Sequence, residues 1–171
     1  MAGHSRYLFG KTNDIIVPVR GKVVIEAGDF CYAHPGDSDY LMPFSAYQST
    51  GGSTDAGFLD IINNFMGIAK MGSPSGVTEN VTVMTAGIFR MPLGHNQAVT
   101  VGAAVSAVSP HPSGAGVSNQ FVEAQVIDTF GFGTTVYLGT IVKTETSAVS
   151  FVDFSLRTRF SGATNLTYDG T

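Results

Sequence analysis

Val81-Thr82-Val83-Met84-Thr85 alternates apolar and polar side chains, and after Ala86 the run Gly87-Ile88-Phe89-Arg90-Met91-Pro92 carries it on. Period-two alternation marks a strand with one buried face. The Ala86-Gly87 pair falls where a bulge or kink lets a long strand bend across a small barrel or pass between two sheets. A strand at Met66–Lys70 precedes this stretch, across the turn Gly72-Ser73-Pro74-Ser75-Gly76, and a strand Val99–Val105 follows it.

The same grammar extends in both directions. Ile15–Val19 and Lys22–Ile25 are β-branched runs parted by Arg20-Gly21, and the turn Glu26-Ala27-Gly28-Asp29 leads into Phe30–Ala33. Pro18 has no N–H to donate, so its strand belongs at an edge or ends there. Val122–Val126, Val136–Val142 and Ser150–Arg157 complete the set; in the last, Val152, Phe154 and Leu156 share one face. Only Thr54–Phe65 has helical spacing, with Phe58, Ile61, Ile62 and Phe65 at i, i+3, i+4 and i+7 behind a Thr54 or Asp55 cap. The fold class is therefore all-β, a small barrel or sandwich of about eight to ten short antiparallel strands with one short helix. The expected organisation is an N-terminal arm over residues 1–14, a β domain over 15–160 with a loop-like insertion at 35–55, and a polar C-terminal tail over 161–171.

Charged residues make up 13% of the chain, about half the usual share, which points to surface hidden in an assembly. The net charge is −4 and the Lys and Arg residues are scattered, so the clustered cations that phosphate contacts need are missing and nucleic acid is not an expected partner. Gly, Pro or a polar residue interrupts each apolar run before it could span a bilayer as a helix, and no membrane partner is expected. Met1-Ala2-Gly3-His4-Ser5-Arg6 lacks the apolar core of a secretory signal, which points to production in the cytoplasm.

Chemistry-bearing patterns are sparse. His4, His34, His95 and His111 show no metal-ligand spacing, and the single Cys31 lies in no CxxC, so neither a metal nor a cofactor is expected. Cys31 and His34 would project to opposite faces of an extended segment, which favours a buried thiol over a nucleophile with its base. Gly36-Asp37-Ser38-Asp39 lacks the later Gly and Glu of a calcium loop. Gly131-Phe132-Gly133 and Gly114-Ala115-Gly116 lead into no phosphate-binding Gly-Lys-Ser/Thr. No catalytic residue is assigned and no enzyme is expected.

The aromatic residues divide by context. Phe89, Phe151 and Phe154 lie in alternating strands and are core candidates. Tyr7, Phe9, Phe44, Tyr47, Phe130 and Phe132 lie in glycine-rich or terminal segments and are candidates for subunit contact. Arg6, Tyr7 and Phe9, in the stretch Ser5–Lys11, would serve as an arm laid on a neighbour, with Phe130 and Phe132 as further contact residues.

The succession Gly67-Ile68-Ala69, then Val81-Thr82-Val83-Met84-Thr85-Ala86-Gly87-Ile88-Phe89, then Val101-Gly102, then Leu138-Gly139, resembles the capsid decoration, or cement, proteins of tailed bacteriophages. Ala27-Gly28-Asp29 matches that family's early Ala-Gly-Asp step. The likeness covers about residues 15–157 as a layout of apolar and glycine positions; the 35–55 insertion and the tail after Phe160 depart from it. It implies a β-rich subunit, often a homotrimer, on the outer surface of the virion capsid, gripping major capsid protein subunits after assembly in the host cytoplasm. A tail or fibre module, a carbohydrate-binding sandwich with Asp37, Asp39 and Tyr40 on a loop face, and a small β-barrel enzyme are the competing expectations.

Overall fold

The computed structural model describes residues 6–10, 13–19, 23–34, 37–46, 64–74, 80–107, 122–125 and 137–158. The stretch that opens the sequence reading divides at its glycine. Strand β6 (Asn80–Met84) belongs to one sheet and β7 (Gly87–Val99) to another. At the crossing, Gly87 has φ of 132°, a conformation open to glycine and strained for other residues. Two buried threonines fasten it: the Thr85 hydroxyl donates to the Asn13 carbonyl at 2.7 Å, and the Thr158 hydroxyl donates to the Thr85 carbonyl at 2.9 Å.

The described residues form an all-β fold of two sheets. The first contains β2 (Asp14–Pro18), β3 (Phe30–His34), β4 (Asp37–Pro43), β5 (Phe65–Ala69) and β6, in the order β2-β6-β5-β3-β4. The second contains β1 (Arg6–Phe9), β7, β8 (Ala104–Ala107), β9 (Val122–Gln125), β10 (Tyr137–Ile141) and β11 (Glu145–Leu156), in the order β1-β7-β11-β10-β8-β9. Consecutive neighbours in both orders run antiparallel. Across five alternating strands the first and last point the same way, so a sheet that rolls until they meet must join them in parallel. Both sheets do this at one pair, Val19 with Leu41 and Leu93 with Val122. The sheets are curled, with their edges touching at those points and no continuous ladder closing them among the described residues.

Two apolar clusters result. Phe30 and Tyr32 enter a large cluster shared with Phe89, Met91, Leu138, Val152, Phe154 and Leu156 of the second sheet, whereas Cys31 and Ala33 enter a smaller one with Leu41, Val81 and Val83. Alternation along β3 produces that division. In β5 the same division falls between Phe65 and Ile68 on one side and Met66 and Ala69 on the other, a spacing that simple alternation forbids. Gly67 resolves it: the register slips there, with Cys31 opposite Gly67 and Tyr32 opposite Phe65, and its φ of 141° lets the extra residue bulge out. An aromatic group of Phe30, Tyr32, Phe44 and Phe65 fills the shared cluster, the paired ring centroids 5.5–6.4 Å apart.

Several sequence expectations change here. Eleven strands stand among the described residues, the first of them over Arg6–Phe9, within the stretch assigned to an arm. The insertion begins as a strand: β4 pairs with β3, Leu41, Met42 and Phe44 are buried, and a 3-10 turn follows at Phe44–Ala46. Phe44 is thus core, not subunit contact. Val23 and Val24 are outside any strand, and Ile25 meets Ser73 through a single bridge. Val99–Val105 is not one strand; Ala103 N–H donates to the Thr100 carbonyl, and the turn at Val101-Gly102 joins β7 to β8. Pro18 ends β2 at the margin of its sheet, as its missing donor requires. Residues 54–63 of the expected helix lie outside the described residues, and Phe65 opens β5.

Candidate interaction surface

The longest pairing among the described residues joins β7 to β11, and its alternation decides what reaches solvent. Met91 faces Val152 and Phe89 faces Phe154 on the buried side; Arg90 faces Asp153 on the other. Phe151 falls on the outward register, opposite Pro92, and is 46% exposed. It is therefore not the core residue its strand context implied. Burying one large aromatic side chain is worth about 1.5–3 kcal/mol, a gain Phe151 leaves partly unrealised.

Arg90 and Asp153 form a forked pair. Nε donates to one carboxylate oxygen at 2.7 Å and Nη2 donates to the other at 2.7 Å. Those hydrogen bonds, reinforced by the carboxylate's charge, push the Arg90 pKa up, so its cation persists. Beside them Lys143 pairs with Glu145. Both pairs border a cleft of about 490 Å³ whose wall includes Asn96, Val149 and Phe151. The register slips twice between Glu145 and Phe151, so the ribbon departs from a flat ladder there and a hollow forms.

Of the residues assigned to contact from sequence, Tyr7 is half-exposed on β1, its ring edge-on to Phe89 at 5.6 Å and its hydroxyl donating to the Gly10 carbonyl. Arg6 is placed by backbone register opposite Arg90, and Phe9 opposite Ile88. The segment thus runs along the chain's own β7. Phe130 and Phe132 lie outside the described residues, as does Tyr47. Arg90, Lys143 and Phe151 come together at the surface here without being marked for it by residue type. The signal available was the alternation of Phe151 and Asp153 against Val152, Phe154 and Leu156.

The groups considered for chemistry stand apart. Cys31 is fully buried, its Sγ 3.5 Å from the Asp29 carbonyl oxygen to which it donates. Burial, and secondarily the Asp29 charge, pushes its pKa well up, which keeps the thiol protonated. Asp29 itself caps the Ala27-Gly28-Asp29 turn, one carboxylate oxygen accepting the Glu26 N–H at 2.8 Å. Among the described residues no three His, Cys, Asp or Glu side chains gather as a metal would require. No helix among them is long and apolar enough to cross a membrane.

Fold and surface together define an all-β protein of two curled sheets with an outward apolar and charged ribbon. No family model, curated protein or solved structure matches the chain.

Proposed function

We propose that the chain is a structural virion subunit, a capsid decoration or cement protein that binds the outer surface of an assembled tailed-phage head. In this reading it acts as a homotrimer, holds neighbouring major capsid protein subunits together and catalyses nothing. The observation that carries it is the set of large apolar side chains left outward on strands and turns of both sheets: Ile16, Val24, Met71, Val101 and Phe151. A chain with few charges and such residues on its outside has surface suited to cover by other polypeptides. The strand and glycine succession described above supplies the kind of partner.

The mechanism needs no reacting group. A subunit that binds the assembled lattice better than its separated parts stabilises the lattice by mass action. A symmetric oligomer adds several modest contacts through effective concentration. The rigidity this demands comes from central strands β3 and β5, buried on both faces. The test is light scattering for a trimer, together with the dissociation temperature of DNA-emptied heads of the cognate phage with and without the protein. A trimer that raises that temperature is expected. A monomer that leaves the heads unchanged overturns the proposal.

A further inference from the structure

The cleft between β7 and β11 has an asymmetry that names its occupant. Its two ion pairs balance in formal charge but not in presentation. The Arg90 side chain is 45% exposed against 13% for Asp153, and Lys143 is 62% exposed against 35% for Glu145. Carboxylates are recessed and cations stand forward. The fork to Asp153 uses Nε and Nη2, which leaves the Nη1 edge of the guanidinium for a second acceptor. Phe151 and Val149 supply apolar wall beside these donors.

We infer that this cleft receives an extended segment of another polypeptide in which a carboxylate and an apolar side chain stand two residues apart. The carboxylate accepts from Arg90 Nη1 and Lys143 Nζ, and the apolar side chain two residues along covers Phe151. Extended geometry follows from the wall, since a segment laid along β11 presents alternate side chains to one side. The inference rests on the reading of the chain as a subunit gripped by other polypeptides, and it adds the chemistry of the grip.

The probe is a capped pentapeptide with glutamate and phenylalanine two residues apart and serine at the other positions, titrated into the full-length isotope-labelled protein while backbone amide shifts are followed. A counterpart with lysine for glutamate is the control. The glutamate peptide is expected to move the amides of Asn96, Lys143, Val149 and Phe151, and the lysine peptide to leave them in place. Lys143→Glu, at a well-exposed position where the fold is not at risk, should weaken the glutamate peptide by about fivefold or more. Equal response to both peptides, no response at the cleft, or unchanged affinity in Lys143→Glu overturns the inference. Heads that stay bare while the peptide still titrates the cleft would remove the capsid reading alone. Heads that bind while the peptide does not would remove only the cleft assignment.

Discussion

Replacing Gly139 by alanine should part β10 from β11. A Cβ at this position would stand 2.0 Å from the Ser155 carbonyl oxygen and 2.8 Å from Cδ2 of Phe154. Close carbon–oxygen contacts between strands run at about 3.3 Å, so the strands must separate locally by about 1.3 Å. The Arg157 N–H to Leu138 carbonyl bond, at 2.8 Å, lies beside the displaced residue and weakens with its neighbours in the ladder. Losing one or two such bonds costs about 1 kcal/mol each, and overpacking adds about 1–3 kcal/mol, for a total of about 2–5 kcal/mol centred near 3.5. Gly102→Ala is the control: at φ of 89° it carries backbone strain, but no atom lies within 4 Å of its added Cβ. Strain alone costs about 1–2 kcal/mol. Urea unfolding followed by far-ultraviolet circular dichroism reads the difference. With a slope of about 2 kcal/mol per molar urea, Gly139→Ala should unfold roughly 1 M below Gly102→Ala. Equal midpoints would refute the close approach of β10 and β11.

Three other outcomes follow from the same geometry. Phe154→Ala, deleting a fully buried ring, should cost about 3–5 kcal/mol, whereas Phe151→Ala, removing a half-exposed ring, should cost about 1 kcal/mol; equal losses in urea unfolding would contradict the assigned faces. In a double-mutant cycle on Arg90 and Asp153 the coupling should fall below about 1 kcal/mol and shrink in high salt, because the arginine is well exposed; a larger, salt-independent coupling would mean that the pair is buried by something else. Cys31 should resist thiol reagents until the chain unfolds. Its raised folded pKa means that its stability contribution is intact below the unfolded thiol's value, near about 8.5, and declines above it. Urea midpoints from neutral to alkaline pH should therefore fall more steeply for the native sequence than for Cys31→Ala.

Much of the fold was legible because alternation in a strand reports burial directly. Val81, Val83, Phe89, Val152, Phe154 and Leu156 are buried where period two puts them. The break at Ala86-Gly87 was legible as a bulge or kink, because glycine alone takes the required φ without strain, but the residues there do not decide between a bend within a barrel and a passage between sheets. What escaped depended on neighbours distant in sequence. Asp37–Pro43 has a loop's composition, yet pairs with β3, and that pairing buries Leu41 and Met42. Phe151 resembles a core aromatic by type but lies on the outward register of β11, which is fixed by its pairing with β7. The parity change in β5 depends on a bulge at Gly67, which the run Phe65–Ala69 does not announce. The cleft needed Arg90, Lys143 and Phe151 brought together by two slips of register, a relation that spacing does not encode.

Under the proposed function, this body is held by an assembled shell. Electron microscopy of DNA-emptied heads of the cognate phage, reconstructed with and without added protein, tests it most directly. Extra density is expected on the outer surface where major capsid subunits meet, arranged about the local three-fold positions and fitted by the two curled sheets. Heads that remain bare at saturating protein would contradict it.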